Sequence, residues 1–210
     1  MLPTKAPAPL ALTGVCLMGL LLQACATAPS ARPLEPARAP ADAQEAKGPT
    51  RLYTETLAAW QSGDLAAAEE GLRAQVQSHP YDSGPATNLG ILLAKSGRSA
   101  EALVQFERAV QNNRRNGVAW NWLGSLRRAA GDAEAAERAY LSALAHAPDK
   151  VATHRNLAIL YDLDLNRPLD AARHYRLYQQ LSGDENRIVQ AWILEAEARA
   201  EAFRIAELQP

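Results

Sequence analysis

The same punctuation recurs along this chain at one fixed spacing: Gly63-Asp64, Gly97-Arg98 and Gly131-Asp132 follow one another at steps of 34 residues. The same step carries Ala68 onto Ala102 and Ala136, Leu72 onto Phe106 and Tyr140, and Leu89-Gly90 onto Leu123-Gly124, and Pro80 and Pro148 lie two steps apart. A period in this range marks a stack of identical supersecondary units, because each unit exposes an apolar face that only the next unit can cover. Hydrophobic residues make up 48% of the chain but aromatics only 6%, so Ala and Leu supply much of the apolar surface, as closely packed helices require and sheets do not. The chain therefore reads as all-α.

In period and in residues the pattern resembles the tetratricopeptide repeat (TPR). The units fall at 49–82, 83–116, 117–150 and 151–184. The third matches best, with Trp120, Leu123, Gly124, Gly131, Ala136, Tyr140, Ala143 and Pro148 on the signature positions and Arg127 the main departure. Repeat 1 departs at Glu55-Thr56, where Leu-Gly is expected, and repeat 4 carries one extra residue, expected in its turn, before Ala171 and Tyr175 restore the phase. The resemblance implies a helix-turn-helix solenoid with the three alanines at the helix crossings, Gly90 and Gly124 making room inside the hairpins, and Gly63, Gly97 and Gly131 in the turns. Leu89, Phe106, Leu123, Tyr140, Leu157 and Tyr175 form the expected core. A capping helix and tail occupy 185–210, opened by the capping box Ser182-x-x-Glu185, with Val189, Ile193, Ala196, Ala200 and Phe203 on its inner face and Gln190, Glu197, Glu201 and Arg204 outside.

The N-terminus reads as an address. After Lys5, Leu10 to Leu22 form a 13-residue apolar run, a signal-peptide core shorter than the roughly 20 residues of a permanent span. Leu22-Gln23-Ala24-Cys25 then resembles the bacterial lipobox, which implies cleavage of residues 1–24, diacylglycerol on the Cys25 sulfur and often acylation of the new amine. Residue 26 is Ala, not the Asp associated with inner-membrane retention, so the resemblance points to a lipid-anchored protein of the bacterial outer membrane facing the periplasm. Residues 25–48 are the expected disordered Pro/Ala-rich tether, with Pro29, Pro33, Pro36 and Pro40; in polyproline II form its reach is roughly 70 Å. The covalent lipid on Cys25 is the only attached group expected, with no cofactor.

In the TPR family the first helices of successive repeats line a concave groove. Carried onto this sequence residue by residue, that resemblance nominates Tyr53, Leu57, Trp60, Ile91, Lys95, Asn121, Trp122, Arg128, Arg155 and Ile159. The set is apolar and aromatic, and no three consecutive repeats supply the Lys/Asn/Arg carboxylate clamp of chaperone-binding TPR proteins. A partner segment with apolar anchors fits, with Tyr53, Trp60 and Trp122 as rigid contacts and Lys95, Arg128 and Arg155 meeting peripheral acids.

Other chemistries fail on the residues. Asp162-Leu-Asp164-Leu-Asn166 begins like a calcium loop, but Arg167 stands where Gly is needed and Arg173 where the bidentate Glu belongs. His79, His146, His154 and His174 occupy unrelated repeat positions without zinc spacing, and are expected at the surface or in seams. A formal charge of −1 gives no field for nucleic acid. No nucleophile elbow, P-loop or dinucleotide turn is present, so neither an enzyme nor a small-molecule substrate is expected. Small TPR lipoproteins resemble the pilotins and tight-adherence components that assist pilus and secretion machines. The competing reading is an adaptor for an envelope protease or peptidoglycan enzyme.

Overall fold

The computed structural model describes residues 51–183 and 186–208. The signal peptide, Cys25 and the tether lie outside the described residues. Four antiparallel helix pairs follow in order: α1 (Arg51–Ser62) with α2 (Leu65–Ser78), α3 (Ser83–Lys95) with α4 (Ser99–Asn112), α5 (Gly117–Ala129) with α6 (Ala133–His146), and α7 (Val151–Ile159) with α8 (Pro168–Ser182). A ninth helix, α9 (Arg187–Glu207), packs on α8. Among the described residues there is no strand, and no helix is long and apolar enough to cross a membrane.

The turns explain why the glycines recur. Gly63, Gly97 and Gly131 have φ of +83°, +78° and +82°, a left-handed conformation that a Cβ disfavours, and each sits between the two helices of a pair. Within the pairs, Ala68, Ala102 and Ala136 are fully buried, as are the six expected core side chains, none more than 4% exposed. A Cβ on Gly90 would stand 2.8 Å from the Phe106 ring, and one on Gly124 2.5 Å from that of Tyr140, so the missing side chain of the first helix is the space that the aromatic of the second fills. Repeat 1 reverses the arrangement. Thr56 replaces the glycine, donates to Leu52 O at 2.6 Å and accepts from Gln75 Nε2 at 2.9 Å. The gap has moved to Gly71 on α2, where a Cβ would meet the Thr56 hydroxyl oxygen at 2.1 Å.

The extra residue of repeat 4 is not in the turn. It is taken up at the end of α7, where Leu160–Asp164 winds as a π-helical turn and Leu165 N donates to Leu160 O at 3.0 Å, five residues back. Asn166 then takes the turn position with φ +49°, and the phase is restored for buried Ala171 and Tyr175. The expected capping box is also corrected. Ser182 ends α8, its hydroxyl donating to Tyr178 O at 2.7 Å; Gly183 (φ +65°) terminates that helix; and the cap of α9 is Asn186, whose Oδ1 accepts from Ile188 N at 2.9 Å. Phe203, expected on the inner face, is 45% exposed. At 21 residues α9 outruns the 15 of α8, so its last turns have less helix to pack on, while Val189, Ile193 and Ala196 remain buried.

Two histidines expected at unrelated positions meet. His154 and His174 are 5% and 9% exposed, with their Nδ1 atoms 3.0 Å apart. His154 Nε2 donates to Pro148 O at 2.8 Å, so its Nδ1 accepts and His174 Nδ1 carries the shared proton. Burial, then the neighbouring His154 and Arg173, push His174 down to about 4. His174 is neutral at pH 7.

Candidate protein-binding groove

The first helices α1, α3, α5 and α7 bring their nominated residues to one side of the stack, but with unequal availability. Tyr53, Leu57 and Trp60 converge at the N-terminal end on one pocket, together with Thr56, Leu72, Gln75 and Asn88. Tyr53 is 40% exposed, while Leu57 and Trp60 are half-buried. This pocket exists because α1 and α2 meet on a Thr56–Gln75 hydrogen bond rather than on an aromatic, which leaves the aromatic rings of α1 at the rim. Sequence reading missed Thr56 and Gln75. The pairing of Thr56 with Gly71, three residues after Ala68, was the available signal.

Further along, the fold itself takes up much of the nominated set. Ile91 is 5% exposed and belongs to the core. Trp122 stacks on Phe106 with ring centroids 5.8 Å apart and planes 8° from parallel, so it seals the seam between repeats 2 and 3 instead of standing free as an anchor. Asn121 Oδ1 accepts from Thr153 Oγ1 at 3.0 Å and from Asn156 Nδ2 at 3.1 Å, tying α5 to α7. Arg128 is held by Asp164 at 2.6 Å, one of the carboxylates of the calcium-like segment. Ile159 is half-buried against the C-terminal core. Lys95 and Arg155 remain exposed. The arrangement thus offers an aromatic pocket at one end and two exposed cations further along. Among the described residues no cluster of three potential metal ligands occurs.

Against solved structures, this hairpin stack superposes on MamA with a TM-score of 0.60 at 16% identity, over 71% of this chain and 86% of that one. The fold is that of the TPR solenoids. A tetratricopeptide repeat protein from Parabacteroides merdae superposes with a TM-score of 0.60 at 22% identity, over 71% of this chain and 60% of that one. Pseudomonas aeruginosa PilF does so at 0.59 with 18% identity, over 72% and 68%. No protein-family model matches the chain, and no curated protein sequence matches it significantly.

Proposed function

We propose that the chain is a membrane-anchored interaction scaffold: a lipid on Cys25 tethers a non-catalytic TPR stack at the outer membrane, where it assists assembly of an envelope complex such as a pilus or secretion system. The observation that carries the reading is the pocket of Tyr53, Leu57 and Trp60, an aromatic-lined concavity followed by exposed Lys95 and Arg155, which suits a partner segment with apolar anchors and acidic neighbours. The Leu-Gln-Ala-Cys lipobox supports the anchor. PilF, a structural neighbour, shares the fold with this chain.

Two measurements test it separately. Alkyne-palmitate labelling in a bacterial host is expected to mark the wild-type chain and to vanish in Cys25→Ser; label retained in that variant removes the anchor. Crosslinking in envelopes, followed by identification of partners, is expected to lose its main adduct in Trp60→Ala and to weaken in Lys95→Glu, with the fold verified by circular dichroism. An adduct unaffected by Trp60→Ala sinks the groove assignment. Because Trp122 stacks on the core, truncating it would test folding as much as binding.

A further inference from the structure

Two of the three seams between successive second helices are closed by the same two devices. Between α2 and α4, Leu93, at the eleventh position of its repeat, is fully buried, and Arg98 reaches back to both carboxylate oxygens of Glu69 at 2.8 Å. Between α6 and α8 the equivalent of Leu93 is Tyr161, 4% exposed, and the equivalent of Arg98, once the π-turn residue is allowed for, is Arg167. Arg167 pairs with Glu137 at 2.7 Å and lies 4.5 Å over the Tyr161 ring, while the Tyr161 hydroxyl donates to the same Glu137 at 2.8 Å. Glu69 and Glu137 are two repeat steps apart, so plug and clasp recur in register.

The middle seam, between α4 and α6, lacks both at the equivalent positions. Its eleventh position is Arg127, the counterpart of Arg98 is Asp132, and the counterpart of Glu69 is Leu103. An open cleft of about 590 Å³ results, floored by Val110, Trp120, Leu123 and Ala139. The Trp120 indole N–H is spent on Arg114 O at 2.8 Å, so the ring presents only apolar surface. The charges around the floor are unequal in their commitments. Glu107 is held by Arg127 at 2.7 Å, and Asp132 accepts from Ala135 N at 3.1 Å as the cap of α6. Arg138 on the rim, and Arg114 where the cleft continues along Trp120, pair with no carboxylate among the described residues.

We propose that this seam is a second docking site, on the second-helix side of the stack, for an acidic segment of a partner protein that inserts one bulky apolar side chain between flanking carboxylates. The floor matches the apolar side chain that Leu93 and Tyr161 supply internally in the other seams. Arg114 and Arg138 supply the charge complement, since both acids nearby are already engaged. The site does not depend on the groove reading of the first helices.

Fluorescence anisotropy with the full chain tests it, using labelled alanine-based peptides that carry a central Phe between glutamates, the same Phe between lysines, or the glutamates without Phe. The Glu-Phe-Glu peptide alone is expected to bind. Its affinity falls at least about tenfold in Arg127→Leu, which plugs the cleft as Leu93 plugs its own seam, and in Arg138→Glu, and is unchanged in Trp60→Ala. Arg127→Leu keeps a thermal midpoint no lower than wild type, so lost binding there reports the cleft and not unfolding. Equal binding of the Lys-flanked peptide, undiminished binding by Arg127→Leu, loss in Trp60→Ala, or no binding of any peptide overturns the proposal. So does a wild-type dimer in sedimentation that Arg127→Leu dissociates, which would make a second copy the occupant.

Discussion

The two halves of the stack are built from different materials. Around α2 to α5 the apolar cluster is Ala, Leu, Ile, Val and Phe, and its large fully buried members, Leu89, Leu93 and Phe106, carry no polar atom. Around α6 to α9 the leucines Leu157 and Leu160 are joined by Tyr140, Tyr161 and Tyr175 and lie beside the His154–His174 pair. Each tyrosine hydroxyl there needs a partner and has one: Ser125 Oγ at 3.1 Å, Glu137 at 2.8 Å and Asp162 at 3.2 Å. Asp162 is held in turn by Arg199 of α9. Buried polar groups occur in both halves, but those of the N-terminal one, Thr56, Gln75, Thr87 and Asn88 among them, do not titrate, whereas the C-terminal one buries histidines and bonds tyrosines to carboxylates, so only the second depends on its partners keeping the right protonation state.

The contrast can be broken in measurable ways. Phe106→Ala empties the fully buried centre of the N-terminal core and leaves the space beside Gly90 unfilled; urea denaturation is expected to show a loss of about 3–5 kcal/mol, equal at pH 7 and pH 5. Acidification acts on the other half. The unfolded histidine binds its proton below about 6.5 while folded His174 resists until about 4, so stability falls as pH drops through that window and levels off below it, by about 3 kcal/mol in all. Hydrogen-exchange protection, corrected for the intrinsic rate at each pH, is expected to fall at pH 5 in α7 and α8 more than in α3 and α4. A uniform loss of protection would show that the two halves open together.

Gly124→Ala drives a methyl against the Tyr140 ring and is expected to cost about 1–3 kcal/mol by thermal denaturation, whereas Ala158, at the same position in repeat 4, is already a methyl that the fold accommodates. The smallest effect runs the other way. Asn166→Gly relieves a left-handed φ of +49° and is expected to gain about 0.5 kcal/mol, raising the thermal midpoint slightly.

How legible these features were depended on what kind of contact made them. Turn glycines, helix-crossing alanines and core aromatics repeat because every unit solves the same packing problem, so a single spacing exposes them. The groove was legible only as a face. Position told which residues of the first helices share a side, but Trp122, Asn121 and Arg128 are claimed by Phe106, Thr153 and Asp164, which lie 16 to 36 residues away. The histidines hid for a related reason. Their 20-residue separation fits no repeat step, and only the extra winding at Leu160–Asp164 sets the register that brings them together.

By itself, the sequence determined that the chain is an all-α stack of hairpins, where the turns of its first three repeats fall, and which large side chains fill the hairpins of repeats 2 to 4. These follow from local periodicity, since a helix of given pattern buries the same stripe wherever it stands. Only the tertiary structure decided what happens between hairpins. There, positions in successive repeats must meet, and whether they form a plug and clasp, as at Leu93 and Arg98, or leave a cleft, as at Arg127 and Asp132, depends on both partners at once.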